Sequence, residues 1–287
     1  MSGFEDKIRD CLEQTGFGYV RGIRSFTKGH NAKLFLIDND KGDRLVAKIA
    51  ESENARLDIE GFMLGYLKER SDLPVPECII AQKDILIMSY IPSSGVVDGA
   101  TEQHAADLLA SLHNIRGRQF GFERDTLIGP YEQPNTPSSD WISFFRDQRL
   151  LYMAKKAFEE KAIDKELMSD IERLCAKLSE YITSPSMPSL LHGDVWSGNI
   201  LSSSGKVTGF IDPAIYYGDP EIELAFTTLF GTFSDYFFDR YFEHHLRRSG
   251  FFEVRCDLYK LYPLLVHARL FGKSYAKAAK QSIARFI

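Results

Sequence analysis

No apolar run in the 287-residue sequence approaches the ~18–20 residues that a membrane-spanning helix requires. The opening stretch, MSGFEDKIRDCLEQ, is charged from the start and lacks the apolar segment of a secretory leader. Basic charge is not in excess. There are 35 Lys and Arg against 40 Asp and Glu, a net charge of −5, and the densest basic stretch, HHLRRS, is no longer than one solvated helix face. Neither a nucleic acid nor a membrane surface is therefore expected as a partner. The four cysteines, Cys11, Cys78, Cys175 and Cys256, are too dispersed for a zinc site and read as reduced, mostly buried thiols of a cytoplasmic protein. Internal repeats and low-complexity tracts are absent. What remains is an ordinary globular composition, 44% hydrophobic and 26% charged, in a length that suits one large domain or two small ones.

The pattern of apolar residues divides the chain in two. Phe4, Ile8 and Leu12 recur at helical spacing and predict a helix over 4–15. YVRGIRSF and AKLFLID, joined by TKGHN, read as strand, turn and strand, and RLVAKIA after the turn NDKGD adds a third strand. A helix is expected over 54–69, then two short strands on either side of QKD in LPVPECIIAQKDILIMSYI. Residues 1–91 thus form a small α+β lobe with a five-stranded antiparallel sheet. A hinge is expected near 88–92, just before the linker-like PSSG, and residues 92–287 form a larger, mainly helical lobe. Ligands commonly occupy the crevice between two such lobes.

Polar residues gather in one late stretch, LLHGDVWSGNI. Alone, Asp194 beside Gly193 reads as a turn or cap carboxylate. Asn199 five positions later changes that reading, because the catalytic loop of kinases pairs an Asp base with a metal-binding Asn across that interval. Asp212, thirteen residues further on at the end of the apolar VTGFI, supplies a second hard oxygen donor suited to magnesium. Lys48 in RLVAKIA lies on the strand face opposite Leu45, Ala47 and Ile49, and Glu60 follows in the next predicted helix, with Glu53 and Asp58 as rivals. That order matches a Lys–Glu pair in which the Lys reaches the α- and β-phosphates of ATP. The turn SFTKGHNAKLF has a single glycine, and the backbone N–H groups of Gly29, His30 and Asn31 are the candidates to cradle phosphate. Met88 and the backbone of Ser89, Tyr90 and Ile91 are the candidates for adenine.

With these residues in place the chain resembles the fructosamine/ketosamine-3-kinases. LLHGDVWSGNI is similar to their catalytic loop, with a Trp between the Asp and the Gly-Asn. FIDPAIYYGDPEIELAFTTLFGTF and FGFERDTLIGPYEQPNTPSSDWISFFRDQRL resemble two further segments, the latter through its Ile-Gly, Gln-Pro-Asn and Asp-Trp-x-x-Phe-Phe pieces, so the likeness covers roughly residues 5–285. The resemblance implies a bilobal protein-kinase-like fold. It also implies phosphorylation of the 3-hydroxyl of a ketosamine (a small glycated amine or a glycated protein lysine) with ATP and Mg2+, in a deglycation or repair role. Carried over by position, Asp194 is the catalytic base, Asn199 and Asp212 the magnesium ligands, Lys48 and Glu60 the phosphate clamp, and Trp196, with Tyr216, a neighbour of the sugar. The glycine loop departs from the family, having Lys28-Gly29 where many members pair two glycines.

Only ten residues separate Asp212 from Glu223, too few for the activation segment and peptide platform of a protein kinase, so a small acceptor is expected. Asp219 and Glu223 have two readings: contacts to a substrate amine, or braces for the next helix and the catalytic loop. The alternatives are a kinase of the same fold acting on an aminoglycoside, choline or homoserine, and a nucleotide-binding pseudokinase.

Overall fold

The computed structural model describes residues 3–13, 15–28, 32–52, 55–185 and 187–287. The phosphate-loop candidates Gly29, His30 and Asn31 lie outside the described residues. The chain opens with helix α1 (Gly3–Glu13), followed by β1 (Val20–Lys28), β2 (Ala32–Asn39), β3 (Arg44–Ala50), α2 (Leu57–Arg70), β4 (Cys78–Gln82) and β5 (Ile85–Ser89). The five strands form one antiparallel sheet in the order β1-β2-β3-β5-β4. The two faces of β3 separate as its alternation predicts. Leu45, Ala47 and Ile49 join Ile8 and Leu12 of α1 in one apolar cluster, whereas Val46 faces α2 with Leu36, Leu86 and Met88. Lys48 shares that second face, opposite Leu34 on β2 and Leu86 on β5.

Helix α2 begins at Leu57, three residues later than periodicity suggests. It lies unusually close to β4: a Cβ on Gly61 would stand 2.3 Å from the Cβ of Ala81. Glycine is what lets the helix carrying Glu60 settle onto the sheet.

Beyond Ser89 the chain runs to α3 (Gly99–His113), capped by Asp98, whose carboxylate accepts from the Thr101 N–H at 2.8 Å. A small hairpin follows, β6 (Thr126–Ile128) and β7 (Tyr131–Gln133). The long helix expected from WISFFRDQRLLYMAKKAFEE is present but not regular. It runs as α4 (Trp141–Phe144), a π-wound stretch Phe145–Leu151 and α5 (Tyr152–Glu159). After α6 (Lys165–Cys175) come β8 (Ser189–Leu191), the hairpin β9 (Ile200–Ser203) and β10 (Lys206–Phe210), and β11 (Tyr216–Gly218), which pairs with β8. The chain ends in α7 (Pro220–Leu229), α8 (Asp235–His244), α9 (Cys256–Tyr259), α10 (Leu261–Phe271) and α11 (Lys273–Ile283). The pairs β6–β7 and β8–β11 fall where only helices and turns are expected, because three-residue strands are too short to show an alternation.

One large apolar cluster joins the two parts. It runs from Leu36, Met63 and Leu67 through Leu109 and Phe120 to Tyr259 and Leu265. Among the described residues no helix is long and apolar enough to cross a membrane.

Candidate active site

Three segments remote in sequence meet under the sheet. The Lys48 ammonium donates to both carboxylate oxygens of Glu60, at 2.9 and 2.7 Å, and to Oδ1 of Asp212 at 3.1 Å. Strand alternation turns Lys48 inward, and the close approach of α2 brings Glu60 to it. The rival Asp58 instead takes the guanidinium of Arg56. Burial works against charge on Lys48, yet Asp212 and Glu60 raise its pKa above the ordinary value, so it remains an ammonium. Burial pushes Glu60 up to about 7 even beside Lys48. Burial also opposes ionisation of Asp212, but Lys48 outweighs it and holds Asp212 below the usual range.

The loop that carries Asp194 and Asn199 sits beside this triad. Asn199 Nδ2 donates to the backbone carbonyl and to Oδ2 of Asp194, both at 2.9 Å, closing the five-residue interval into one compact turn. Gly193 is indispensable there: its φ is +86°, and a Cβ would lie 2.0 Å from the Ala214 carbonyl oxygen. Burial, and after it the negative charge of Asp212, push the Asp194 carboxyl up to about 8. Asp212 itself has φ +54°, a left-handed conformation that few non-glycine residues hold without support.

The donor set fits a magnesium ion. Among the described residues no three His, Cys, Asp or Glu side chains converge as a metal cage. The candidate ligands are a carboxylate and an amide oxygen: the Asp212 side chain is 45% exposed, and the amide nitrogen of Asn199 is engaged with Asp194. Few protein donors, all oxygen, suit an ion that takes the rest of its shell from phosphates and water. At the hinge, Met88 lies on the α2 side of the sheet with Val46. The N–H groups of Ser89 and Tyr90 are already engaged, by the carbonyls of Glu77 and Arg44, so of the candidate adenine donors only Ile91 remains.

Comparison with known proteins gives the family. The family model described as fructosamine kinase matches residues 6–287. The chain belongs to that family. A "Probable ketoamine kinase" of Vibrio parahaemolyticus is 32% identical over 267 residues, 90% of each chain. A protein-ribulosamine 3-kinase of Arabidopsis thaliana, named as chloroplastic, is 35% identical over 69% of this chain and 62% of its own. A crystal structure from Thermobifida fusca named "putative fructosamine-3-kinase" superposes with a TM-score of 0.87 at 27% identity, covering 98% of this chain and 99% of that one. A macrolide 2'-phosphotransferase shares the fold alone, at 16% identity and a TM-score of 0.66.

In this fructosamine kinase family member Asp219 and Glu223 are braces. Asp219 caps α7, accepting from the Glu221 N–H at 3.1 Å, and takes both Arg248 and the Tyr259 hydroxyl. Glu223 accepts from the backbone N–H groups of His192 and Gly193, and from His113 Nε2–H at 2.8 Å. Burial disfavours charge on Glu223, but the hydrogen bond and charge of His113, the charge of His192 and the Gly193 N–H together outweigh it and lower its pKa. His113 carries no motif that marks it in the sequence; only the tertiary contact identifies it. Replacing Glu223 by Leu is expected to strand the N–H groups of His192 and Gly193 and the Nε2–H of His113, each costing about 1–3 kcal/mol, and a drop in the thermal unfolding midpoint measures it.

The two expected sugar neighbours are placed differently. Trp196 is half-buried at the surface of the loop, its ring over Gly198 and 5.7 Å from that of Phe230. Phe230 in turn meets His267 at 5.0 Å and Tyr275 at 6.5 Å, which makes an aromatic wall that starts at Trp196, two residues after Asp194. Tyr216 is only 2% exposed. Its ring is covered by the Arg149 guanidinium at 4.0 Å and stacks on Phe144, and it lines, with Gly193, Glu223 and His267, a small cavity of about 20 Å3. The alternation of β11 sends Tyr216 into the core and Tyr217 towards α2.

Proposed function

We propose that the protein phosphorylates the 3-hydroxyl of a ketosamine with ATP and magnesium, marking sugar adducts on small amines or protein lysines for later removal. The observation that carries this reading is the meeting of Lys48, Glu60 and Asp212 beside the Asp194–Asn199 turn, with the aromatic wall that starts at Trp196, two residues after the base. Lys48 would hold the α- and β-phosphates, and Asp212 and Asn199 the metal, which when bound neutralises phosphate charge. The acceptor oxygen forms a bond to the γ-phosphorus as the bond to the β–γ bridging oxygen breaks. ADP leaves, and Asp194 takes the hydroxyl proton. Positioning and charge neutralisation supply most of the rate.

A small acceptor is supported by the short path from Asp212 to α7. Its three strand residues pair with β8, so no extended segment is offered to a peptide. Aromatic faces suit the C–H face of a sugar and, through cation–π attraction, an amine. Trp196→Ala is expected to raise the acceptor KM at least tenfold while the ATP KM stays within about twofold, read from initial rates. The reading itself is tested by a phosphate-transfer screen of fructosamines, ribulosamines and erythrulosamines against free sugars, aminoglycosides and choline. Transfer to an aminoglycoside or choline with no ketosamine turnover would overturn it.

A further inference from the structure

The segment carrying Gln-Pro-Asn, residues 133–135, touches neither Asp194 nor Lys48, yet it is one of the most completely hydrogen-bonded buried regions of the chain. Gln133 is 0% exposed. Its Nε2 donates to the Ala214 carbonyl and to Thr126 Oγ1, both at 3.0 Å, and its Oε1 accepts from the Tyr262 hydroxyl at 2.9 Å. Asn135 accepts from Arg149 at 2.7 Å and donates to Thr126 Oγ1 at 2.8 Å, and Thr126 donates to the Ile215 carbonyl at 3.1 Å. The direction of every bond is fixed. Two donor-to-acceptor chains, one from Tyr262 through Gln133 and one from Arg149 through Asn135 and Thr126, end on consecutive carbonyls just after Asp212-Pro213.

Those carbonyls have no slack. The Ala214 N–H donates to the His192 carbonyl at 2.7 Å, and its carbonyl oxygen is the atom that Gly193 must be a glycine to approach. Residue 214 is thus held from the catalytic loop on one side and from Gln133 on the other. The left-handed backbone of Asp212, two residues earlier, is the conformation this grip supports. The same segment also reaches α2. Phe122, at the foot of the hairpin, packs edge-on to Tyr66 at 4.9 Å and to Phe62 at 6.1 Å, while Tyr66 and Tyr217 share a hydroxyl hydrogen bond of 2.9 Å. One structure therefore links the helix that carries Glu60 to the loop that carries Asp212.

We propose that Gln133 and Asn135 are positioning residues for phosphoryl transfer, holding the Asp212 segment in the conformation that meets Lys48. The proposal rests on the kinase reading above. Its test uses the full-length protein and a fluorescent ATP analogue, with affinity measured without and with Mg2+. In wild type, Mg2+ tightens nucleotide binding through Asp212 and Asn199. In Gln133→Met and Asn135→Leu the metal-free affinity stays within about twofold, the Mg2+-dependent gain shrinks about tenfold or more, and kcat falls about 10²-fold with the acceptor KM little changed, the cost of an ångström-scale misplacement. A role confined to stability would lower the unfolding midpoint and leave the gain intact, which overturns the proposal. Tyr262→Phe, which removes only the hydroxyl that orients Gln133, is expected to give a smaller shift in the same direction and serves if the larger changes prevent folding. Wild-type protein that binds no nucleotide would refute the kinase reading, whereas normal wild-type binding with an unchanged gain in all three variants refutes this inference alone.

Discussion

Asp194→Asn is expected to lower kcat by about 10²–10⁴-fold, the usual contribution of a positioned base, while leaving ATP affinity nearly unchanged. The substitution keeps the size of the side chain and a hydrogen-bonding oxygen for Asn199, so the loop retains its shape. Its effect on stability runs the other way. Burial and the charge of Asp212 raise the folded-state pKa of Asp194 from 3.8 to about 8. Between those values the folded protein holds a proton that the unfolded chain has released. Its stability therefore declines as pH rises through that window. An Asn carries no such proton, so the metal- and nucleotide-free variant should unfold at a higher temperature than wild type at pH 8 and at nearly the same temperature at pH 4. Calorimetry in a chelator at the two pH values measures the difference. Wild-type turnover would remove Asp194 from its role, and equal midpoints at pH 8 would show that its pKa is not raised.

Asp212→Asn is expected to cost about 10²–10³-fold in kcat, on the scale of losing one preorganised electrostatic contact. Asn is the appropriate probe because it tolerates the left-handed backbone at +54°, so the change removes charge without adding strain. Two consequences follow from the geometry. Lys48 keeps Glu60 as its partner and remains charged, so metal-free nucleotide binding should persist. Asp194 loses its charged neighbour, so its pKa should fall and the acid limb of the pH–rate profile should shift downward. Steady-state rates across pH and across Mg2+ concentration distinguish these effects. An unchanged Mg2+ dependence would show that the metal is held elsewhere.

The candidate site residues that the structure brings together are those whose positions are set by local geometry. Lys48 follows from the two-residue period of a strand, Asp194 and Asn199 from a spacing that closes one turn, and Asp212 from its place after an apolar strand. Glu60 was separable from Asp58 only weakly, and the structure separates them by helix face: one meets Lys48 and the other Arg56. What sequence did not disclose are partners chosen by tertiary packing. Glu223 and His113 lie 110 positions apart, and Gln133 meets Ala214 across 81. Tyr216 and Tyr217 are adjacent and chemically identical, so nothing in composition says which one enters the core. The π-wound turn is also silent in sequence, since its apolar spacing is that of an ordinary helix.

The apolar cluster that passes without interruption from beneath the sheet into the helical part has a consequence for how the molecule comes apart. Met63, Leu67 and Met88 are covered partly by residues beyond 100, so a fragment ending near residue 91 would leave them bare and would aggregate rather than fold. Melting of the intact chain should accordingly register as a single cooperative event, with the five-stranded sheet and the helical part losing structure together.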